Sequence, residues 1–426
     1  MTQAPPQVTD CSLDRVRPPD PATRGTGPLI AIDLGTTNCR VAVIQNGNPV
    51  CVPSDRMDGT PSVIALGSGG RIVLGQAARQ QQASVPALAV WGIKNLLAAP
   101  YGDPKLRWLY DQLRCQLVRG EDGLAAAVLG NRTFTAKQLA AMLLIEARER
   151  AQNFLRQPVY RAVLTVPPTR RDDPLPQTMM AAAQLAGLHV ERTISETTSV
   201  ALGSFQRRRG KPERTAIVCD WGGGSFQASL VRYAARQCQV LATEGNISLC
   251  GSELDKRVMD RLIRALPSGM RVAADKNNPA ALYRVAGASE FAKIQLSTQN
   301  EMRVRIPLAT VNANGQPGDF DATITRRDVE ELARPLIESA LKMCEQVLAQ
   351  KTMFPGDVDE VLLVGEQCRM PLMFQRAQEF FVGVPVYLDE PGQSVVLGAA
   401  RLSANTSGIS APTPPPVGAP PVPGRR

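Results

Sequence analysis

The chain has 426 residues, of which 44% are hydrophobic and 20% are charged, so disorder is excluded for the bulk of it. Lys and Arg number 48 against 39 Asp and Glu, which gives a formal net charge of +9. The single histidine excludes histidine-clustered metal sites and most Ser/His/Asp catalysis.

The cellular location is predicted from what the sequence lacks. The longest apolar stretches, such as residues 139–145, are too short to cross a bilayer, and the first twenty residues have no apolar core typical of a secretory signal. The nine cysteines are scattered without any C-x-x-C pair, which favours reduced thiols. We therefore expect a cytoplasmic protein with no membrane partner.

The N-terminal half begins with a Pro-rich segment of residues 1–27 that predicts a disordered arm. Residues 29–32 (LIAI) predict a buried strand, and Asp33 then opens a run of small residues before a second strand. Thr135 with Gln138 predicts a helix start. Residues 163–166 predict another strand, followed by a helical stretch at 177–188 and the segment 199–203.

The C-terminal half repeats this order. Residues 216–219 (AIVC) predict a strand, Asp220 follows with three glycines, and a second strand comes next. A strand at 361–364, a helical stretch at 371–381 and the segment 394–398 echo the later elements of the first half. Two copies in the same order predict an α/β fold with two similar lobes and a cleft between them. Thr325 with Asp328 predicts one further helix start.

Two polar segments lie beside these elements. The basic run from Arg207 to Arg214 predicts an exposed loop between domains. Binding of a nucleic acid by this run would require aromatic side chains on which bases stack. None lies in the run, so we expect no nucleic acid as a partner. Residues 404–426 predict a disordered Pro-rich tail, in which Pro420 and Pro423 form a P-x-x-P pattern or simply part of a solubilising tail.

The two hairpin tips suggest a chemistry. Asp33 and Asp220 suit Mg²⁺, which prefers oxygen ligands and keeps several waters. The residues after each aspartate offer backbone N–H groups and hydroxyls to phosphate oxygens: Gly35, Thr36, Thr37, Gly222, Gly223, Gly224 and Ser225. A lysine near the γ-phosphate would complete a site for phosphoryl transfer.

Several motifs together resemble the ATPase domain of the seventy-kilodalton heat-shock (DnaK-type) chaperones. They are residues 32–38 (IDLGTTN), 92–96 (GIKNL), 163–167 (VLTVP), Glu196, 220–226 (DWGGGSF), 363–365 (LVG), 369–371 (RMP) and 398–400 (GAA). The resemblance runs from about residue 29 to residue 402 in family order. It implies the actin-like ATPase fold, a duplicated ribonuclease-H-like arrangement. Lobe I would span 28–212 and lobe II 213–403, with the last helix returning to lobe I.

The resemblance also implies roles for single residues around ATP or ADP and Mg²⁺. Lys94 would hold the γ-phosphate and orient the attacking water, Glu196 would accept a hydrogen bond from that water, and Asp33 and Asp220 would hold the magnesium shell. The remaining nucleotide contacts implied are Asn38 at the first tip, Glu290, Lys293 and Ser297 at adenosine, Gly365, and Arg369 on the adenine face.

Some positions depart from the family pattern. Gln227 replaces an aspartate, and Glu366 replaces the second of two glycines. A carboxylate there would repel a triphosphate by about 1 to 4 kcal/mol at 4 Å if it pointed inward; the alternative is that it points to solvent. Pro391-Gly392-Gln393 stands for Pro-Asp-Glu, and residues 250–255 keep only part of their motif. We also expect no substrate-binding domain after residue 402.

Three functions are compatible with these residues. The first is an ATP-binding, slowly hydrolysing chaperone-family module that switches conformation with nucleotide state and acts through a protein partner, such as a co-chaperone or client-binding protein. The second is a nucleotide-poor scaffold of the same fold, motivated by Gln227 and Glu366. The third is a small-molecule kinase, which would need an additional aspartate as a base, and no candidate for it has a family pattern.

Overall fold

The computed structural model describes residues 27–54, 59–97, 99–168, 173–207, 211–234, 237–274 and 280–404. The predicted arm and the predicted tail lie outside these residues, apart from Gly27 and Ala404. The Gly27 carbonyl accepts a hydrogen bond from the Arg161 guanidinium at 3.0 Å, so the described chain starts beside a strand of the first lobe.

Strands and helices alternate along the described residues. The strands in chain order are β1 (Leu29–Leu34), β2 (Asn38–Gln45), β3 (Asn48–Cys51), β4 (Thr60–Pro61), β5 (Ile64–Leu66), β6 (Ile72–Leu74), β7 (Ala89–Val90), β8 (Gln116–Arg119), β9 (Ala125–Leu129), β10 (Arg132–Thr135), β11 (Arg161–Val166), β12 (His189–Ser195), β13 (Glu213–Trp221), β14 (Phe226–Ala234), β15 (Gln237–Asn246), β16 (Arg271–Val272), β17 (Glu301–Val311), β18 (Pro317–Thr325), β19 (Glu360–Val364) and β20 (Val386–Leu388).

The α-helices begin and end as follows: α1 (Gly75–Ser84), α2 (Ile93–Leu96), α3 (Arg107–Gln112), α4 (Ala136–Leu155), α5 (Leu175–Leu185), α6 (Glu196–Arg207), α7 (Gly251–Arg264), α8 (Ala280–Gln295), α9 (Arg326–Ala349), α10 (Pro371–Phe380) and α11 (Ser394–Ala404). Both predicted capping boxes are present, at Thr135 with Gln138 before α4 and at Thr325 with Asp328 before α9. Helix α5 ends at Leu185, so the prediction of helix to residue 188 is wrong. Gly187 has a φ of 72°, a conformation that ends helices.

Two large sheets share one topology. Within the described residues, the first sheet has the strand order β12-β11-β1-β2-β3, with β4 paired to β2, and the second has β15-β14-β13-β19-β20. In each, an antiparallel hairpin supplies a central strand that pairs in parallel with a later strand, β1 with β11 and β13 with β19. The duplication predicted from the sequence therefore corresponds to two matching sheets, one in each lobe.

Smaller sheets are inserted between the strands of the large ones. Strands β5–β7 and β8–β10 form two three-stranded sheets between β4 and β11, and β16–β18 form a third between β15 and β19. Each lobe thus has an inner unit built on a large sheet and an outer unit added to it. The α/β class predicted from the sequence is confirmed.

The lobes are joined through two helices that cross. Helix α11 packs on the first sheet, where Ala399 and Ala400 contact Ala31 and Ala42, and α6 packs against β13, β14 and β15 of the second sheet. The helices touch at Gly398, where a Cβ would lie 2.0 Å from the carbonyl oxygen of Ser199 in α6. The base of the cleft is therefore a close helix–helix contact that a side chain would disrupt.

The basic run is only partly the exposed loop predicted. Arg207 is the last residue of α6 and binds Asp389 at 2.6 Å, while Arg214 lies on β13, is buried, and stacks on the ring of Phe205. Residues 208–210 lie outside the described part of the chain. Both arginines contact other parts of the fold because α6 ends, and β13 begins, within the run.

None of the described helices is long and apolar enough to cross a membrane.

Candidate active site

The two hairpin tips meet across the cleft. In the first, the Gly35 N–H donates to the Asn38 carbonyl at 3.1 Å, and in the second the Gly222 N–H donates to the Ser225 carbonyl at 2.9 Å. A Cβ at Gly223 would lie 1.9 Å from the Thr37 hydroxyl oxygen. The second tip approaches the first this closely because its glycines carry no side chain, so backbone from both lobes lines one narrow space.

Helix α7 supports the second tip. The Gly251 and Ser252 N–H groups donate to the Gly222 and Gly223 carbonyls, each at 3.0 Å, and Cys250 precedes the helix without a side-chain cap. The segment 250–255 departs from the family pattern in side chains, but its backbone holds the tip through main-chain hydrogen bonds.

The predicted carboxylates converge at the floor of the cleft. Asp33 lies on β1 and accepts a hydrogen bond from the Thr165 hydroxyl at 2.9 Å, and Asp220 lies on β13. Glu196 is the first residue of α6, where the positive end of the helix dipole favours a negative charge. Each carboxylate is thus positioned at the end of a regular element and not on a loose loop.

Lys94, in the short helix α2, is the cation among them. Its Nζ donates to Glu196 Oε1 at 2.6 Å, and both side chains are 11% exposed. Burial lowers the pKa of Lys94, but the Glu196, Asp33 and Asp220 carboxylates outweigh burial and hold that pKa above its usual range. Burial raises the pKa of Glu196 despite its bond to Lys94. Lys94 therefore stays protonated at neutral pH.

The pKa of Asp220 is raised by its surroundings. Burial, together with the Glu196 and Asp33 charges, raises the pKa of Asp220 to about 7. Lys94 and Arg40 act in the opposite direction but do not outweigh burial and the neighbouring carboxylates, so a divalent cation would relieve the repulsion. No group of three or more His, Cys, Asp or Glu among the described side chains is arranged to ligate a metal directly. Asp33 and Asp220 offer carboxylate oxygens of the kind that Mg²⁺ takes together with its own waters, and their role as its ligands stays a prediction.

All the predicted site residues line one cavity of about 630 Å³ between the lobes. They are Asp33, Gly35, Thr36, Thr37, Asn38, Lys94, Glu196, Asp220, Gly222, Gly223, Gly224, Ser225, Glu290, Lys293, Ser297, Gly365 and Arg369. The structure brings these residues together from both halves of the chain. Their individual roles toward a nucleotide stay predictions.

The far end of the cavity is formed by α8 of lobe II and α1 of lobe I. Lys293 Nζ binds Asp255 at 2.7 Å, and the two terminal nitrogens of Arg79 bind the two Glu290 oxygens at 3.2 Å each. Burial raises the pKa of Asp255 to about 6, since the lowering by Lys293 is smaller. The Arg79–Glu290 pair joins the two outer units across the mouth of the cleft.

The side-chain amide of Gln227 is engaged by a backbone carbonyl of lobe I. Its Nε2 donates to the Pro168 carbonyl at 3.0 Å, and it pairs in register with Asp220. The side chain therefore links the second hairpin to the end of β11 in lobe I. An aspartate there could not donate this bond.

Glu366 neither points freely inward nor turns to solvent. Its Oε1 accepts a hydrogen bond from Arg40 at 3.0 Å and its Oε2 one from Arg369 at 2.6 Å. Arg369 also donates to the Pro391 carbonyl at 2.8 Å. The carboxylate is 31% exposed and is matched by two guanidinium groups, so the repulsion considered for an unpaired Glu366 is largely offset.

Sequence reasoning missed two residues that line the cavity, Arg40 and Arg79, and one behind it, Thr165, which hydrogen-bonds to Asp33. Arg40 could have been found, because a tight hairpin after Asp33 places residue 40 opposite it, and the strands do pair Asp33 with Arg40. Thr165 carried a weaker signal as the only hydroxyl inside a buried strand pattern. Arg79 carried none, since it meets Glu290 only through tertiary packing.

Burial makes the thiols of the two cysteines near the cleft poor nucleophiles. Burial raises the pKa of Cys39 to about 12 and that of Cys250 to about 11. Such thiols hold almost no thiolate at neutral pH.

A comparison with protein families agrees with the geometry. The family model described as Hsp70 protein matches residues 29–412, most of the chain and nearly the span over which the motifs resemble that family. The predicted resemblance and the actin-like ATPase fold are thereby confirmed, and the family is one of ATP-binding chaperones. Because the match covers most of the chain, this chain belongs to the Hsp70 family.

Proposed function

We propose that this chain binds ATP with Mg²⁺ in the cleft, hydrolyses it slowly and changes the arrangement of its lobes with the nucleotide state. The observation that carries this proposal is the Lys94–Glu196 pair, buried beside Asp33 and Asp220 where the hairpin tips of both lobes meet. A buried cation among carboxylates and backbone donors suits a phosphate chain, because charge neutralisation and positioning are most of what phosphoryl transfer requires.

Lys94 and Glu196 would act in sequence. Lys94 leaves Glu196 for a γ-phosphate oxygen, a stronger partner because it carries more charge. Glu196 is then free to accept a hydrogen bond from the attacking water and align it with the γ-phosphorus. The new P–O bond forms as the bond to the β-phosphate oxygen breaks. ADP leaves with that oxygen and its electron pair, and a proton of the attacking water passes to an oxygen of the inorganic phosphate.

The remaining residues would orient the nucleotide. Asp33 and Asp220 would hold Mg²⁺ through its waters, and the bound ion would supply charge neutralisation to the phosphate chain. The backbone N–H groups of both tips receive phosphate oxygens. Glu290 and Lys293 on α8 and Ser297 just after it would contact adenosine, Gly365 would let the backbone approach it, and Arg369 would stack on the adenine.

Switching would follow from the cross-lobe contacts. Thr37 meets Gly223, and Arg79 meets Glu290, so a nucleotide that touches both tips changes how tightly the lobes close. We propose that a protein partner, a co-chaperone or a client-binding protein, responds to that closure. The free thiols among the described residues suit a reducing compartment, and we propose the cytoplasm.

Single-turnover hydrolysis tests the chemistry. Full-length chain is mixed with Mg-ATP and phosphate release is followed, with Glu196→Gln and the exposed Glu331→Gln as matched control. We expect slow release from wild type and from the control, and a rate at least tenfold lower for Glu196→Gln with ATP still bound. Equal rates for Glu196→Gln and wild type would remove Glu196 from the mechanism.

Hydrogen exchange tests the switch. We expect amides of the two tips and of the α1–α8 contact to exchange at different rates in Mg-ATP and Mg-ADP. Identical exchange in the two nucleotides would contradict switching and leave binding intact.

A nucleotide-poor scaffold is the second candidate. It is favoured by Gln227, which replaces a carboxylate and whose amide is engaged by the Pro168 carbonyl. It predicts no ATP binding at all, so a binding measurement separates the two functions.

A further inference from the structure

Arg40 faces the cleft beside the predicted phosphate site. Strands β1 and β2 pair Asp33 with Arg40, so the two side chains leave the same face of the sheet and lie next to each other. Arg40 lines the cavity, and its side chain is only 10% exposed. Its charge also acts on Asp220, whose pKa it lowers against the larger effect of burial.

This arginine is incompletely bonded. One terminal nitrogen donates to Glu366 of the other lobe at 3.0 Å. Its Nε is buried, and no atom of the described chain accepts a hydrogen bond from it. A guanidinium has five N–H donors and a buried unpaired donor is costly, so the group is suited to a ligand with several acceptor oxygens.

Gly392 lies directly beside the Arg40–Glu366 pair. A Cβ at Gly392 would lie 1.8 Å from Glu366 Oε1 and 3.0 Å from the Arg40 terminal nitrogen. Gly392 therefore leaves the space that the carboxylate and the guanidinium occupy. Glu366 and Gly392 both depart from the family pattern, which has glycine at the first position and aspartate at the second, so the two departures compensate each other sterically.

We propose that Arg40 is a second phosphate-binding cation of the cleft, and that the phosphate chain of a nucleotide replaces Glu366 as its partner on binding. This inference rests on the proposed nucleotide binding and adds a ligand contact to it. A phosphate group offers a guanidinium several strong acceptor oxygens, whereas Glu366 receives only one of its donors at 3.0 Å. Glu366 keeps the buried charge compensated while the phosphate is absent.

The proposal separates phosphate from adenosine recognition. Adenosine has no phosphate, so its affinity should not depend on Arg40 except through the fold. A merely structural cross-lobe contact would instead change the affinities of adenosine and Mg-ADP together. The ratio of the two affinities is therefore the readout.

Calorimetric titrations of Mg-ADP and of adenosine into the full-length chain test this. The variants are Arg40→Gln, Arg40→Lys and Glu366→Gln, with Arg327→Gln as control, since Arg327 is 89% exposed and pairs with Glu331 of the same helix. For Arg40→Gln we expect Mg-ADP to bind about tenfold more weakly and adenosine to bind unchanged. Arg40→Lys should lose less, because the charge remains.

Glu366→Gln should change the Mg-ADP affinity in the opposite direction. Removing the competing carboxylate should strengthen Mg-ADP binding relative to adenosine by about two- to tenfold, because a negative charge leaves the cleft and Arg40 is released. This variant and Arg40→Lys keep the test decisive should Arg40→Gln unfold, which a thermal melt reveals.

Three results would overturn the proposal. Equal weakening of adenosine and Mg-ADP in Arg40→Gln would make Arg40 a structural strut, and wild-type affinity for both would remove it from the site. Weaker Mg-ADP binding relative to adenosine in Glu366→Gln would refute the exchange of partners. In each case wild-type binding of Mg-ADP still stands, whereas failure of the wild type to bind Mg-ADP would remove the proposed function and this inference together.

Discussion

Asp220→Asn should stabilise the nucleotide-free chain. Asp220 lies among Glu196 and Asp33, and burial with those charges raises its pKa to about 7 although Lys94 and Arg40 act to lower it. Asparagine keeps the shape of the side chain and removes the repelled charge. A substitution at the centre of an active site is expected to raise stability where the site holds charges that repel one another.

The magnitude follows from the pKa. The rise from 3.8 to about 7 corresponds to about 4 kcal/mol at alkaline pH. Asp220 retains some exposure to the cleft, and solvent screening reduces the effect, so we expect about 2 kcal/mol. Because the folded pKa is raised, the stability linked to Asp220 is fully present below pH 3.8 and is lost as the pH rises to about 7. The advantage of Asp220→Asn should grow over that window and level off above it.

Urea unfolding at pH 5 and pH 8, at fixed ionic strength and without nucleotide, measures this difference. The control is Asp328→Asn in the capping box of α9, where burial is outweighed by hydrogen bonds from Thr325 and Arg261 that hold the pKa of Asp328 below its usual range. The control should lose stability at pH 8. Destabilisation by Asp220→Asn at pH 8, or an equal effect at both pH values, would refute an electrostatically strained cleft.

Three further substitutions test particular contacts. Gly223→Ala should weaken Mg-ATP binding at least tenfold by pushing the hairpin tips apart, while Gly356→Ala, which meets nothing within 4 Å, should bind as wild type in the same calorimetric titration. Gly398→Ala should lower the free energy of unfolding by about 2 to 3 kcal/mol, because its Cβ would collide with the Ser199 carbonyl; an unchanged melting temperature would contradict the helix crossing. Thr325→Ala should cost about 1 kcal/mol through loss of the helix cap, as a urea titration would show, and Thr325→Ser should restore most of it.

The sequence predicted the fold through features that repeat locally. Residues 29–32 and 216–219 are short apolar runs before an aspartate and small residues, and both lie in central strands buried on two faces. Threonine caps predicted the starts of α4 and α9 correctly because a capping box involves only residues close in the chain. The family motifs then located the cavity residues, since each motif lies at a fixed place in the fold.

Contacts between distant residues could not be read in the same way. The pairing of Arg40 with Glu366 spans 326 positions and depends on the space left by Gly392. In the sequence alone, Glu366 is a charge without a visible partner, and Gly392 stands where the family pattern has an aspartate. Only the folded cleft brings the two residues together. The burial of Arg214 likewise depends on Phe205 and on how far α6 and β13 extend, which local composition does not encode.

Calorimetric titration of Mg-ATP into the full-length chain tests most directly whether the cleft binds a magnesium nucleotide. We predict one site per chain with micromolar or tighter affinity, weakened at least tenfold by Lys94→Ala because a charge-assisted contact to phosphate is lost. Absence of binding by the folded wild-type chain would contradict nucleotide binding and leave this Hsp70-family fold as a scaffold.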